Sequence, residues 1–481
     1  MNFRSSYLFF FLIFTSCKKQ IAIDSSISHS NNAIISNLNN TLLVTKKTFS
    51  ITSLQYPLYD PKNNGGISGG VDQATNGTLF YVYQNVEHLI ICPNTDTRAI
   101  YTSPIHLVKM NNEWIFENGN YGRLMDRTST AVQLSPGVFV WTNASDEKGI
   151  SGNVYISKTN SDNTLTWKQL STSEGMYANI SIGNIDGIGE KEILTYKGAE
   201  LGSPEFFEVY TGSGINFTKS SITLPSINDF KNALGSNEFT FGSFLLADID
   251  TTNNEDELIL TSSRKEMNAF YSFIILKFDI ASNKFVISKV IKPNGALKEY
   301  SLAVAAIKTG NFDDDNNIDI AVTMGQGIDD KSGVQFWYGD GIGGLIPGKS
   351  KIFQTSDLVS FTDFEVGKSS EKKYDDVFLH FNAKNTIIAK IGNDLDLTNF
   401  LLINDGQRTS KFSNISLVIK SSLFSYDNTT NQFMYPVFMK GYFINNRLRL
   451  IGLRGKLDMY GNNNTGYLGY NEFDLFDGKL Q

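Results

Sequence analysis

Gly310-Asn-Phe-Asp-Asp-Asp-Asn-Asn-Ile-Asp-Ile-Ala321 is an acidic loop that leaves one apolar run and enters another, Ile318 to Thr323. The same pattern stands at Gly183-Asn-Ile-Asp-Gly-Ile-Gly-Glu-Lys-Glu-Ile-Leu194 and at Ala247-Asp-Ile-Asp-Thr-Thr-Asn-Asn-Glu-Asp-Glu-Leu258. Its second position falls at 184, 248 and 311, so the loops recur every 64 and 63 residues. A stretched copy runs from Thr362-Asp-Phe-Glu-Val366 to Tyr374-Asp-Asp-Val-Phe-Leu379, and strand pairs without the acids lie around Thr128–Asn143, Thr78–Cys92 and Phe433–Leu453. A fixed period of this length marks a repeat architecture. Further apolar runs, Phe206–Tyr210, Phe273–Phe278, Phe285–Ile291 and Val334–Tyr338, bring each period to about four strands.

Four strands per repeat is one propeller blade. A four-stranded sheet cannot bury both faces alone, whereas radial stacking lets each blade cover the next and leaves only short edges. Blades of about 62 residues fit seven times into the chain beyond the first 48 residues. The expected fold is therefore all-β, a single β-propeller of seven four-stranded blades over residues 49–481.

Composition agrees and excludes other classes. The 481 residues include 35 Phe and 21 Tyr, which favour strands. With 42 basic against 49 acidic residues and no basic block, nucleic acid is not an expected partner. Two cysteines exclude a disulfide scaffold or Cys-rich zinc site, and four histidines leave little for a histidine-ligated metal.

The start of the chain reads as an address. Leu8–Phe14 is an apolar run too short to span a bilayer and suited to a signal-peptide core. It is followed by Thr15-Ser16-Cys17, which resembles the bacterial lipoprotein processing site, although Phe14 replaces the usual Leu. That resemblance implies residues 1–16 as signal peptide, Cys17 as the acylated first residue, and attachment to the cell envelope through lipid alone. The Asn- and Ser-rich stretch that follows reads as a flexible tether over 17–48. Cys92, in the apolar run Leu89-Ile-Ile-Cys92, reads as a buried small residue.

In the 310–321 loop, oxygen-bearing side chains fall at Asn311, Asp313, Asp315 and Asp319, with Asn317 between them. Carboxylates turned toward one point repel unless a hard cation neutralises them, and Ca²⁺ accepts six to eight such oxygens. The segment resembles the FG-GAP/VCBS repeat, found in the head of integrin α-subunits and in many bacterial surface propellers. The likeness covers roughly residues 175–380. It implies a structural Ca²⁺ held by the side chains of Asn311, Asp313, Asp315 and Asp319 and the carbonyl of Asn317. The 247–258 loop offers Asp248, Asp250, Thr252, Asn254 and Asp256, with Thr252 costing one charge. The 183–194 loop keeps Asn184, Asp186 and Glu192 but has Ile188 at a ligand position, and the fourth copy carries the cationic insertion Lys368–Lys373. Neither of these two is expected to bind metal.

Gly339-Asp-Gly-Ile-Gly-Gly344 and Gly343-Gly-Leu-Ile-Pro-Gly-Lys-Ser350 match phosphate-binding glycine patterns. Both patterns need a helix to follow. The sequence after Ser350 has no helical apolar face, so a hairpin turn is expected instead. His88 and His106, with Tyr83, Tyr101 and Arg98 nearby, are candidates for proton abstraction beside a uronic carboxylate, as in lyases on propeller scaffolds. Trp114, Trp141, Trp167 and Trp337 could stack on sugars, though Trp141 and Trp337 end apolar runs and fit packing between blades. The functional expectation is a monomeric binding module for a glycan or a surface protein. A polysaccharide lyase and a scaffold subunit of a surface complex are the alternatives.

Overall fold

The computed structural model describes residues 42–50, 78–91, 105–117, 128–143, 152–171, 177–197, 204–237, 239–264, 269–292, 304–324, 331–354, 359–383, 397–409, 411–419, 438–459 and 468–480. They form seven four-stranded antiparallel sheets, the seven-bladed β-propeller read from the period. The chain opens with β1 (Leu42–Ser50). Blade 1 comprises β2 (Thr78–Tyr83), β3 (Val86–Ile91), β4 (Ile105–Met110) and β5 (Glu113–Phe116); blade 2, β6 (Thr128–Ser135), β7 (Val138–Asn143), β8 (Val154–Thr159) and β9 (Leu165–Gln169). Blade 3 has β10 (Tyr177–Gly183), β11 (Glu192–Lys197), β12 (Phe207–Ser213) and β13 (Asn216–Lys219). The short helix α1 (Ile227–Leu234) follows, started by a Ser226–Asp229 capping box. Blade 4 holds β14 (Thr240–Ala247), β15 (Glu257–Arg264), β16 (Ala269–Asp279) and β17 (Lys284–Ile291). Blade 5 holds β18 (Val304–Gly310), β19 (Asp319–Met324), β20 (Lys331–Gly339) and β21 (Leu345–Gln354); blade 6, β22 (Val359–Gly367), β23 (Asp376–Ala383), β24 (Leu397–Ile403) and β25 (Ser413–Ile419). Blade 7 consists of β26 (Phe438–Ile444), β27 (Arg447–Met459), β28 (Leu468–Leu480) and, as its outermost strand, β1.

That last pairing closes the ring. All nine residues of β1 align with β28, from Leu42 opposite Leu480 to Ser50 opposite Glu472. Residues 42–48, expected in the tether from their Asn/Ser-rich surroundings, therefore belong to the propeller. The strand was hidden because its partner lies at the far end of the chain. The rest of the expected tether, Cys17, the signal segment and Cys92 lie outside the described residues.

Aliphatic and aromatic side chains fill the spaces between blades. Tyr81, Phe139, Trp141 and Tyr155 pack blade 1 on blade 2, and Phe207, Phe241, Phe244 and Phe285 pack blade 3 on blade 4. Phe273 meets Trp337 edge-on at 4.9 Å between blades 4 and 5, and Phe312 stacks on Phe336 at 3.8 Å in the cluster joining blades 5 and 6. Trp114, Trp141 and Trp337 are buried and serve the core, and half-buried Trp167 packs against Trp141. The first strand of most blades starts with a register shift, for example between Phe241 and Ser243 and between Val304 and Ala306. Such bulges increase the local twist of the strand. The two glycine patterns fall on the hairpin between β20 and β21, as expected, where the Asp340 carboxylate accepts the N–H groups of Ile342 and Gly344.

The seam between blades 7 and 1 is ionic as well as apolar. Buried Arg449 of β27 pairs with Asp477 of β28 and Glu87 of β3, and lies over the Phe80 ring at 4.6 Å. Asp477 also accepts Lys109 Nζ at 2.9 Å and Trp114 Nε1 at 3.1 Å, both from blade 1. Burial works against a charged Asp477, but the hydrogen bonds and charge of Arg449, then Lys109, outweigh it and hold the carboxyl below its ordinary value. Removing one partner of a buried ion pair leaves the other charge uncompensated. Asp477→Ala is predicted to lower the unfolding free energy by about 3–5 kcal/mol, measured by urea denaturation followed by tryptophan fluorescence. A loss within the range of a surface pair would refute the seam's role.

Candidate functional site

Three regions could carry function: the acidic loops, the blade 1 histidines and the central channel. The acidic loops connect the first two strands of blades 3 to 6, and each ends in a buried acid at the start of the second strand. These acids, Glu192, Glu257, Asp319 and Asp376, turn back onto their own loops. Glu192 accepts the N–H of Ile185 at 2.8 Å, Glu257 those of Ile249 and Asp250, Asp319 that of Phe312 at 2.7 Å, and Asp376 that of Ser369. Asp319 also takes the Gly339 N–H at 2.9 Å, which ties the loop to β20. Burial is the main force on Glu192, Glu257 and Asp319 and raises all three. It pushes Glu192 up to about 7, and pushes Asp319 up to about 7 with help from the Asp313 and Asp315 charges, against the N–H donors that favour the carboxylate.

A second device stitches neighbouring blades. The Asp256 N–H donates to the Asn184 carbonyl at 2.7 Å, while the Asn184 N–H donates to the Asp256 carboxylate at 2.8 Å. Asn311 and Asp375 repeat the exchange between blades 5 and 6, at 2.7 and 2.8 Å. Between blades 4 and 5 the equivalent position is Ile318. There the hairpin after β20 makes the link, through Thr251 N–H to Gly341 and Gly343 N–H to Ile249.

In the 247–258 loop two of the expected ligands have partners within the protein. Asp256 faces the preceding blade. Asp250 pairs with Lys277 of β16 and accepts the Thr252 hydroxyl, and Lys277 also lies 3.7 Å from Glu257. Asp250 and Asp256 thus have protein partners of their own, Lys277 and the Asn184 N–H. In the fourth copy Lys372 pairs with Asp376 and Lys373 with Asp314.

The 310–321 loop does gather its acids. Asp313, Asp315 and Asp319 each bring one oxygen to within 4.8 Å of the others. The buried Asn311 Oδ1 has no hydrogen-bond partner among the described residues. Asn317 donates its backbone N–H and its Nδ2 to Asp315. Arg408, from the connection between β24 and β25, reaches across the blade boundary: its Nε meets Asp313 at 2.5 Å and its Nη2 meets Asp315 at 2.8 Å. Its guanidinium lies over the Tyr338 ring at 5.0 Å. Sequence reasoning missed Arg408, since it lies more than ninety residues from the carboxylates it neutralises.

The blade 1 histidines come together, but in the interior. His88 of β3 and His106 of β4 are both 0% exposed, with His88 Nδ1 3.0 Å from His106 Nε2. His106 Nδ1 is 3.3 Å from Glu117, and Tyr81 stacks on His88 at 4.8 Å. The hydrogen bonds fit His106 donating to Glu117 and accepting from His88, which leaves His88 Nε2 without a partner among the described residues. Tyr83 packs against the turn at Gly137, and Arg98 and Tyr101 lie outside the described residues. Sealed from solvent, this pair cannot touch a substrate, which corrects its reading as a catalytic candidate. The signals for burial were the apolar run that follows His88 and the apolar neighbours on either side of His106.

The channel is formed by the seven first strands, β2, β6, β10, β14, β18, β22 and β26, which all contribute to the lining of one central cavity of about 540 Å³. Three successive blades place charges in it. Glu365 of β22 lies 3.1 Å from Lys308 of β18 and 3.4 Å from Lys440 of β26. The opposite wall carries Gln133, Asn179 and Thr130 among aliphatic side chains.

No family model matches the chain, and no curated protein matches it. Among solved structures it is similar to a protein from Lactobacillus plantarum, at 8% identity and a TM-score of 0.45, covering 80% of this chain and 95% of that one. It is also similar to the Dos1 propeller, at 7% identity and a TM-score of 0.37, over 73% and 92% of the two chains. The Aleuria aurantia lectin in complex with Fucα1-6GlcNAc aligns at 12% identity and a TM-score of 0.33, over 70% and 94%.

The buried histidine pair makes a pH prediction. Burial, then the charge of His106, lowers His88 from 6.5 to about 4. Above pH 6.5 both folded and unfolded chains hold a neutral ring; below it the unfolded chain takes a proton that the folded one refuses until about pH 4. Stability is therefore expected to fall as pH drops through that window, and His88→Leu should flatten the fall. Equal acid sensitivity in the variant, read from urea midpoints at several pH values, would contradict the assignment.

Proposed function

We propose that this propeller is a binding module at the bacterial cell envelope, anchored by lipid on Cys17, which recognises a glycan. The observation that carries this reading is the central cavity, with charged and amide side chains on its walls. Antiparallel topology adds a second support. In every blade the turn between first and second strands lies at one end, and the second-to-third and blade-to-blade connections lie at the other. The second-to-third and blade-to-blade connections thus share one end of the ring. Connections on a rigid scaffold are where recognition is usually carried. A surface protein docked on the same loops is the competing partner. Screening the purified chain on an array of neutral and anionic glycans tests the reading; silence across the array, with capture of an envelope protein instead, would refute it. Cys17→Ser is expected to release the chain from membranes into the soluble fraction, and persistent membrane association would contradict the anchor.

The 310–321 loop fits a structural Ca²⁺. Asp313, Asp315 and Asp319 supply converging charge, and the unpartnered Asn311 Oδ1 supplies a neutral oxygen. In this reading Arg408 competes with the ion for Asp313 and Asp315. Calcium at a hundredfold excess over Kd stabilises a folded state by about 2.7 kcal/mol, which a thermal melt resolves. Calcium is expected to raise the melting temperature of the wild-type chain and to raise that of Arg408→Ala by more. No shift in either protein would remove calcium from the account.

A further inference from the structure

One end of the ring repeats a short apolar device. The tetrapeptide Asp-Gly-Ile-Gly occurs twice, at Asp186–Gly189 between β10 and β11 and at Asp340–Gly343 between β20 and β21. The two turns join different pairs of strands, yet they share one conformation. In each, the Asp Oδ1 accepts the Ile N–H, at 2.8 Å for Ile188 and 3.0 Å for Ile342. In each, both glycines take positive φ, 72° and 77° around Ile188 and 73° and 81° around Ile342, a region that glycine enters without steric cost. The result is an isoleucine held outward at the crest of the turn, 68% and 66% exposed. Ile280, on the turn between β16 and β17, is 60% exposed. These are the three most exposed large apolar side chains among the described residues. They surround the 247–258 loop. Gly187 lies against Asn254 and Glu255, the hairpin at Ile342 bonds to Thr251 and Ile249, and Lys277, on the strand leading to Ile280, pairs with Asp250. A single exposed isoleucine needs no explanation; three gathered at one end, two of them on matching turns, do.

Topology says what this end faces. Leu42, the first residue of β1, stands opposite Leu480, and β28 reaches that point beside the turn between β26 and β27. First-to-second and third-to-fourth turns share this end in every blade, so the chain coming from Cys17 enters the ring at the end that carries the isoleucines. Residues 18–41 reach at most about 85 Å, and a linker of that length holds the two surfaces it joins at an effective concentration on the order of millimolar. Single aliphatic side chains projecting from polar turns suit the acyl boundary of a bilayer, whereas a protein interface needs a packed apolar centre. Exposed Glu190 and Asp340 stand beside the tips and work against anionic headgroups, which selects zwitterionic lipid.

We propose that the end bearing Ile188, Ile280 and Ile342 docks on the bilayer that holds the acylated Cys17 and inserts the three side chains below the headgroups. This rests on the lipid-anchor reading above and goes beyond it by fixing which face of the ring meets lipid. The second-to-third and blade-to-blade connections then point away from the membrane.

Tryptophan placed at the tips tests the docking. The acylated full chain is reconstituted in vesicles of phosphatidylcholine and phosphatidylethanolamine, with and without a lipid that carries a shallow nitroxide quencher. Ile188→Trp, Ile280→Trp and Ile342→Trp are compared with Phe206→Trp, which is 44% exposed and lies in the second-to-third connection at the opposite end, and with the wild-type chain as background. Circular dichroism confirms the fold of each variant. The emission added at the three tips is expected to shift to the blue and to be lost to the quencher, while that added at Phe206 is unaffected. Quenching of Phe206→Trp overturns the orientation. Quenching at none of the four positions, in a chain that still floats with the vesicles, overturns the docking and leaves the anchor standing. Quenching that needs added phosphatidylglycerol overturns the choice of lipid. A chain from cells that carries no lipid on Cys17 and does not float overturns the anchor reading and the docking together.

Discussion

The ring stands on one pairing, that of β1 with β28. It brings residues from the two ends of the chain into a nine-residue antiparallel ladder and makes blade 7 four-stranded. Each other blade is built from neighbouring sequence, so its hairpins are local. The closing strand is not: its partner lies some 430 residues away, and the entropy of joining them must be met by contacts formed at the same moment. The Arg449–Asp477–Glu87 group, with Lys109 and Trp114, supplies those contacts across the seam. Apolar packing is permissive about angle and register. A buried, bidentate Arg449–Asp477 pair is not, and this seam carries the geometric specificity that the aromatic interfaces lack.

The acidic repeat answers to the same requirement. A propeller needs each blade held at a fixed angle to the next, and the loops do this with carboxylates turned onto backbone N–H groups. Glu192, Glu257, Asp319 and Asp376 hold their own loops, while Asp256 and Asp375 hold the loop of the preceding blade. Charge that looks like a ligand set in one dimension is thus partly a set of backbone anchors. Asp313 and Asp315 gather beside Asp319, and Arg408 pairs with both of them.

Much of the fold was legible because it repeats. The spacing of 64 and 63 residues between acidic loops gave the blade length, and runs such as Phe273–Phe278 and Val334–Tyr338 gave strands that the structure places in β16 and β20. Periodicity reports local structure, and what it missed is non-local. β1 lies in sequence that reads as tether, and its strand character depends on β28. Lys277 and Arg408 neutralise carboxylates on other strands or other blades, so no spacing within the acidic loops announces them. His88 and His106 are eighteen residues apart on adjacent strands, which was read as nearness. Their nearness is real, but which face of the strands they occupy was set by packing against blade 2. The charged wall of the channel was equally hidden, because Lys308, Glu365 and Lys440 come from three separate repeats and meet only when the ring is closed.

Closure is therefore the claim on which the cavity, and any ligand in it, depends. Hydrogen exchange followed by mass spectrometry reads it directly, by comparing peptides from 42–50 with peptides from 468–480 in the full chain. If β1 completes blade 7 as a structural member of the ring, the two strands exchange together and slowly, through the same opening. Fast exchange of 42–50 beside a protected 468–480 would mean that the ring stands without its closing strand, and would contradict the account.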